Sequence, residues 1–330
     1  MSSHNYNQKK QKENFEYIKA ILNELPSFIS DFIYGVQVEN STKLSYLYDI
    51  RMFITFLEDT LNIKLHEVSN LNDIKAKDIE RFLENTQNKS ITKARKLSSL
   101  RRMYSYFIKH EKILHNPADI VDMPKIHEKK IIKLDVDEIA ILLDSVEEGS
   151  TLTARQKKFH EYTKKRDLAI ITLLLGTGIR LSECIGIDIE NINFEQNAVL
   201  ITRKGGNEDV VYFGDEVSSA IRSYLDERLL KKPLEGHEEA LFLSLQNKRV
   251  NTRTVQKLVK KYAKIFNFKN ISTHKLRSTY GTNLYRETGD IYLVASVLGH
   301  KDVNTTKKHY ATMDEDRKRS AAKIIKLRED

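Results

Sequence analysis

The chain has little of what most recognisable sites are built from. A single cysteine, Cys184, stands among 330 residues; this excludes an intramolecular disulfide framework and a cysteine-built zinc centre, and fits a reducing compartment. Tryptophan is absent, and only 4 prolines and 12 glycines are present, too few for a collagen-like or low-complexity chain. No apolar run approaches the roughly 20 residues of a membrane-spanning helix. The polar start, Ser-Ser-His-Asn-Tyr-Asn-Gln-Lys-Lys, has no apolar core of a secretion signal, so neither export nor membrane insertion is expected. No Walker A sequence, no His-Glu-x-x-His and no Gly-x-Gly-x-x-Gly after a strand occurs, and the Gly-Thr-Gly at 176–178 lacks the lysine and hydroxyl of a phosphate loop. Nucleotide hydrolysis and zinc proteolysis fall away.

What is there is a large core and an excess of positive charge. Hydrophobic residues make up 40% of the chain, enough for two domains at this length, and 55 Lys and Arg outweigh 46 Asp and Glu for a net charge of +9. Such a balance favours a polyanionic partner, nucleic acid ahead of a membrane surface, over a merely well-solvated basic protein.

The periodicity is mostly helical. Residues 12–34 carry Phe15, Ile18, Leu22 and Leu25 at helical steps, interrupted at Pro26; Ser41 is placed to cap a second helix holding Leu44, Leu47, Ile54 and Leu57. A short helix is predicted over 76–85 and a long one over 90–112, where Lys93, Arg95, Lys96, Arg101, Arg102 and Lys109 surround an apolar stripe with no carboxylate before Glu111. A solvated face is the plain reading of such charges, but a merely soluble helix mixes signs, so phosphate contact is expected here. Asn116-Pro117 closes this helical set. The aperiodic stretch that follows divides the chain into 1–120, a linker at 121–132, and 133–330.

In the second part, Asp135 opens a capping box, 148–165 reads as an exposed polar connection, and the apolar run from Asp167 is a buried helix that breaks at Gly176-Thr-Gly178. Residues 198–213 form two β-type runs around Arg-Lys-Gly-Gly-Asn-Glu, a hairpin with Lys204 at its tip. Leu241-Phe-Leu suggests one more short strand, and Asn251 or Thr252 caps a helix bearing Arg253 and Lys257. The last helices hold His274 and Arg277 three residues apart, on one helical face, then Val-Leu-Gly-His300, then Lys-Lys-His-Tyr310. Ala321, Ala322, Ile324, Ile325 and Leu327 give the remainder the pattern of an amphipathic tail helix.

Taken singly these residues have duller readings. Arg180 pairs with Glu183 at a helix start, Lys204 is solvent-exposed in a turn, His274 or His300 is a cap or loop histidine, and Tyr310 is one of 15 tyrosines. Taken together they are cations around one aromatic hydroxyl, a set suited to phosphoryl transfer, because guanidinium pairs match the equatorial oxygens of a five-coordinate phosphorus.

In this order the motifs resemble those of the tyrosine recombinase (phage integrase) family. Gly-Thr-Gly-Ile-Arg180-Leu-Ser-Glu183 is similar to the family's first-arginine motif, Thr-Arg-Lys204-Gly-Gly to its hairpin lysine, His274-Lys-Leu-Arg277 to its His-x-x-Arg box, Leu-Gly-His300 to its third box, and His-Tyr310 to its nucleophile. The helical first part with its Asn-Pro-Ala junction resembles the core-binding domain of Xer-type members, and Lys-Arg-Asp-Leu-Ala-Ile-Ile at 165–171 is similar to the single-protein Xer recombinases of firmicutes. One departure is Ser278, where many members follow the second arginine with histidine.

The resemblance implies a mainly α fold: a helical, SAM-like core-binding domain, then an α-rich catalytic domain with a small antiparallel sheet. It implies that Tyr310 attacks a DNA phosphate to leave a 3′-phosphotyrosine, with Arg180, Arg277 and His300 on the non-bridging oxygens, Lys204 protonating the leaving 5′-oxygen, His274 assisting proton movement and Glu183 orienting an active-site side chain. No metal and no cofactor is implied. Lys93, Arg95, Lys96, Arg101, Arg102, Arg253 and Lys257 are expected to contact DNA. Further expectations are a homotetramer on paired duplex sites with exchanged tail helices, dependence on a DNA translocase, a cytoplasmic, nucleoid-associated location, and a role in chromosome or plasmid dimer resolution. Integration or excision of a mobile element, a type IB topoisomerase and a non-catalytic DNA-binding regulator are the alternatives.

Overall fold

The computed structural model describes residues 3–126, 133–203, 205–266, 269–299 and 303. The chain divides into two compact units, Asn7–Lys129 and a second built from Lys130 onward together with the start of the chain. The architecture is mainly α with one small antiparallel sheet, as the periodicity and the resemblance led us to expect.

The first unit is formed by α1 (Ser3–Leu22) from Asn7 on, α2 (Phe28–Gly35), α3 (Asn40–Leu61), α4 (Ala76–Asn85), α5 (Ser90–Lys109) and the single turn α6 (Pro117–Ile120). Pro26 lies in the break between α1 and α2, because proline offers no N–H to continue a helix. Leu47, Ile50, Phe53 and Leu57 of α3 meet Leu97, Leu100, Tyr104 and Phe107 of α5 in one fully buried core. Phe53 and Phe82 pack edge to face at 5.1 Å, a geometry that ring quadrupoles favour. Ser41 is not the cap of α3: the helix begins at Asn40, with Glu39 extended in the cap position and Ser41 already inside the first turn.

The second unit comprises α7 (Val136–Glu148), α8 (Ala154–His160), α9 (Lys164–Thr177), α10 (Leu181–Gly186), strands β1 (Ile192–Asn193), β2 (Ala198–Thr202) and β3 (Glu208–Tyr212), then α11 (Asp215–Leu229), α12 (Thr252–Tyr262), α13 (Thr273–Thr288) and α14 (Ile291–Val297). The expected capping box is present: Asp135 accepts from the Glu138 N–H at 2.8 Å, and Glu138 accepts from the Asp135 N–H at 3.0 Å. Helix α9 is buried nearly all round, from Ala169 to Leu175, and α7, α11 and α13 pack around it. The three strands run antiparallel in the order β1-β2-β3, with Leu200 opposite Val210.

Two further local expectations are corrected. The polar stretch 148–165 is not merely an exposed connection: Thr153 caps α8, and His160 is buried with its Nε2 2.7 Å from the Val146 carbonyl. A histidine hidden among basic neighbours leaves no apolar period to read. Leu241-Phe-Leu is buried but makes only isolated bridges, Asp188 with Ala240 and Leu243 with Arg249.

Candidate active site

Helix α9 ends where Gly178 turns left-handed, with φ 62° and its N–H bonded to the Leu174 carbonyl. A Cβ there would sit 2.4 Å from the Tyr280 ring and 2.9 Å from Leu298, so only glycine combines this turn with this close packing. Two residues later Arg180 opens α10. Its N–H donates to Glu183 Oε2 at 2.7 Å and its Nη1 to Oε1 at 2.8 Å. The Glu183 side chain is 2% exposed and that of Arg180 33%, so the carboxylate is sunk beneath a guanidinium that still reaches the surface. Cys184 is buried beside it, and burial pushes its thiol well above the ordinary range, which keeps it protonated and inert.

A second constellation forms at the end of α14. Asp290 caps this helix by accepting from the Tyr292 and Leu293 N–H groups at 2.8 and 3.0 Å. The carbonyls at a helix C-terminus have no partner within the helix, and here three guanidiniums supply them. Arg203 donates to the Val297 carbonyl at 3.0 Å, Arg277 to that of Leu298, and Arg180 to that of Gly299 at 3.0 Å. Arg277, 6% exposed on α13, also donates to the Gly178 carbonyl at 2.5 Å. Buried guanidiniums are costly unless their donors are satisfied. These carbonyls satisfy them, and in doing so fix the backbone of residues 297–299, immediately before His300.

The expected residues are thus partly assembled. Arg180, paired with Glu183, and Arg277 converge on one turn from distant parts of the chain, Arg180 lying 119 residues from its acceptor Gly299 and Arg277 lying 99 from Gly178. His274 sits exposed in the first turn of α13, whereas Arg277, three residues on, is buried. Lys204, His300, Tyr310 and the tail after Tyr310 lie outside the described residues.

Arg203 was not anticipated. Its side chain, 10% exposed, donates to Glu183 Oε2 at 3.2 Å as well as to Asp209 Oδ2 at 2.9 Å. Glu183 is therefore shared between Arg180 and Arg203. The cross-hairpin pairing of a basic and an acidic residue around Lys-Gly-Gly is legible in the sequence. The contacts to Glu183 and Val297 are not, because they join elements far apart along the chain.

The cations expected on DNA divide sharply. Arg102, Arg253 and Lys257 are exposed, and Lys93 is half-buried. Arg95 is half-exposed and paired with the buried Asp49 at 2.5 Å, where Ser99 also donates at 2.7 Å. Lys96 as a DNA contact is corrected: it is 1% exposed, its Nζ 3.3 Å from Met52 Sδ and 5.2 Å from the centre of the Phe82 ring. Desolvation pulls its amine below the usual lysine range, and desolvation likewise raises the Asp49 carboxyl. Arg101 is corrected in part, since its guanidinium donates to the Ala118 and Val121 carbonyls at 2.9 and 2.7 Å and so holds α6 against α5. The stripe predicted the helix; it did not separate the cations that face water from those that tie backbone.

Known proteins resemble this chain in sequence and in fold. Residues 134–317 match the phage integrase family, and residues 27–111 match the phage integrase N-terminal SAM-like domain. The chain is 31% identical over 303 residues to the tyrosine recombinase XerC of Caldanaerobacter subterraneus subsp. tengcongensis, covering 85% of this chain and 80% of that protein. It is 28% identical over 324 residues to the tyrosine recombinase XerS of Streptococcus agalactiae serotype III, covering 86% and 90%. Its fold is similar to that of the XerH recombinase in a post-cleavage complex with palindromic difH, with TM-score 0.67, 21% identity and 87% and 80% of the two chains covered. The Tn1549 transposon integrase in complex with transposon right-end DNA aligns with TM-score 0.68 at 17% identity, over 89% and 98%.

Proposed function

The chain belongs to the phage integrase family of tyrosine recombinases, and from that premise we propose that it is a site-specific DNA recombinase whose nucleophile is Tyr310. The observation that supports this reading is the turn at 297–299, because Arg277 and Arg180, the guanidiniums expected at the phosphate, both reach it next to His300 in the sequence.

The phenolic oxygen of Tyr310 attacks the scissile phosphorus, a new P–O bond forms, and the bond to the 5′-oxygen breaks. The phenol proton leaves with assistance from His274, and Lys204 protonates the departing 5′-oxygen. Arg180, Arg277 and His300 hold the non-bridging oxygens as charge builds on them; one such donor is worth roughly 3 kcal/mol of barrier. One phosphodiester replaces another, so the reverse reaction with a different 5′-hydroxyl rejoins the strand without added energy. Glu183 keeps the guanidinium of Arg180 aimed.

In this reading residues 1–120 are the core-binding domain, 121–132 the linker and 133–330 the catalytic domain. Lys93, Arg102, Arg253 and Lys257 are the cations left to meet DNA phosphates, and Arg95 is partly so. Four protomers act on two duplex sites, the tail after Tyr310 docks on a neighbouring protomer, and the task is Xer-like resolution of chromosome or plasmid dimers in the cytoplasm, at the nucleoid, with a DNA translocase as partner. No helix among the described residues is long and apolar enough to cross a membrane.

The test is a duplex nicked beside the scissile phosphate, so that the cleaved fragment diffuses away and the covalent complex accumulates. Full-length protein is expected to form a protein–DNA adduct and Tyr310→Phe none. An adduct of undiminished yield in Tyr310→Phe defeats the assignment.

A further inference from the structure

We infer that Arg203 is a positioning residue for strand cleavage, holding the hairpin neck so that Lys204 delivers its proton to the leaving oxygen. The inference rests on the role of Lys204 proposed above and adds the residue through which that role is kept in register.

Three observations support it. Arg203 closes the hairpin through its own backbone: its N–H donates to the Asn207 carbonyl at 2.7 Å, and its carbonyl accepts from the Gly206 N–H at 3.1 Å. Gly205 and Gly206 lie beyond it at φ 98° and 89°, and a side chain at either would meet no atom within 4 Å of its Cβ. At these two glycines the turn has open space around it, and Arg203 is the anchored neighbour of Lys204 in the sequence.

The side chain of Arg203 then ties that neck to three elements at once. It reaches Asp209 across the hairpin on β3, Glu183 on α10 and the Val297 carbonyl at the end of α14. Two of these, Glu183 and the 297–299 turn, are the same groups that orient Arg180 and Arg277. Each of the three side-chain nitrogens of Arg203 is taken up by one of these acceptors, which makes it a tie within the fold.

Gly299 records how close this approach is. A Cβ there would lie 2.9 Å from the Arg203 guanidinium carbon, and its φ is 60°. The hairpin neck and the turn before His300 are therefore packed with no room for a methyl group between them. A guanidinium with five donors in a rigid fork can bridge such separated acceptors; a lysine ammonium on a flexible stem cannot hold the same geometry.

In cleavage the leaving 5′-oxygen takes the proton from Lys204 as the P–O bond breaks. A substrate whose 5′-bridging oxygen is replaced by sulfur departs as a stable thiolate and needs no such proton. Loss of Lys204 function, direct or through Arg203, is then relieved by sulfur, whereas a general structural defect is not.

The experiment uses full-length protein in single-turnover cleavage of two otherwise identical duplexes, one with 5′-oxygen and one with 5′-sulfur at the scissile phosphate. Arg203→Ala is expected to cleave the oxygen substrate roughly 30-fold more slowly, a partial loss of the roughly 100-fold or more that a general acid contributes. It should cleave the sulfur substrate at a rate close to that of the unaltered protein, with DNA affinity unchanged. Asp209→Asn, which loosens only the exposed end of the tether, should lose about fivefold on oxygen and likewise recover on sulfur. Arg203→Lys should fall between Arg203→Ala and the unaltered protein.

A slow rate that persists on sulfur, or no slowing on oxygen, overturns the inference. Should Arg203→Ala fail to fold, Asp209→Asn decides by the same criteria. Lys204→Ala serves as the reference: if its own defect is not relieved by sulfur, the general-acid reading fails and takes this inference with it. If Lys204→Ala recovers and the Arg203 and Asp209 variants do not, the inference fails alone.

Discussion

Two parts of this protein are rich in cations and use them differently. Along α5 the basic residues follow the helix around, and their fates are mixed. Arg102 faces water, Arg95 pairs with a buried carboxylate, Lys96 is buried against Met52 and Phe82, and Arg101 ties down α6. In the second unit the arginines come from separate elements and share one destination, Glu183 and the carbonyls that end α14. The lesson is that a guanidinium is assigned by the acceptors within reach. Where the acceptor is solvent, every donor of the side chain is open to a ligand; where it is an orphan carbonyl, the donors that meet it belong to the frame, and a phosphate is left to the remaining ones.

The largest effect is expected at the shared acceptor. Glu183→Ala leaves Arg180 and Arg203 facing each other without their carboxylate, and removing one partner of a buried ion pair costs about 3–5 kcal/mol. Single-turnover cleavage should fall by about 100-fold or more, while a gel-shift assay shows DNA still bound. Cleavage within a few-fold of normal would mean that the carbonyls alone orient the guanidiniums. Next is Gly299→Ala, which places a methyl group against Arg203 at a left-handed φ. A loss of about 1–2 kcal/mol in thermal stability, together with slower cleavage, is the expected pair of results.

The α5 cations then separate by readout. Arg101→Ala loses hydrogen bonds to the Ala118 and Val121 carbonyls and should lower stability by about 1–2 kcal/mol, seen as an earlier denaturant midpoint. Arg102→Ala should leave the midpoint where it is. It should weaken DNA binding severalfold and flatten the dependence of log K on log salt by about one unit, as loss of one phosphate contact does. If both variants change the same quantity, the division drawn between them is wrong.

The smallest effect belongs to Lys96. Lys96→Met should leave DNA affinity unchanged. Its amine has a folded-state value below that of the unfolded chain, the reference being 10.5. Between those two values the unfolded state holds more protons, so its contribution to stability rises with pH in that window and is least favourable below it. Replacing it with methionine should remove that slope, which denaturant titrations at several alkaline pH values would detect.

Much of this was legible beforehand, and the reasons are local. The Asp135 and Asn251 caps, the left-handed stop at Gly178, the 198–213 hairpin and the Arg180–Glu183 contact all involve residues a few positions apart. Short-range chemistry decides them. His160 escaped because its burial depends on Val146 and on Tyr262, whose ring lies 6.2 Å away. Arg203 escaped because its acceptors, Glu183 and Val297, lie 20 and 94 residues away.

What the sequence determined by itself is the inventory and its order: the helical periods, the glycine stops, the net positive charge and the succession of arginine, lysine, histidine and tyrosine motifs. Local propensity and residue chemistry are enough for that. Only the tertiary structure decided which cations are spent on the fold and which remain for a ligand. That choice is set by whether a carbonyl or carboxylate from a distant part of the chain comes within about 3 Å of the donor.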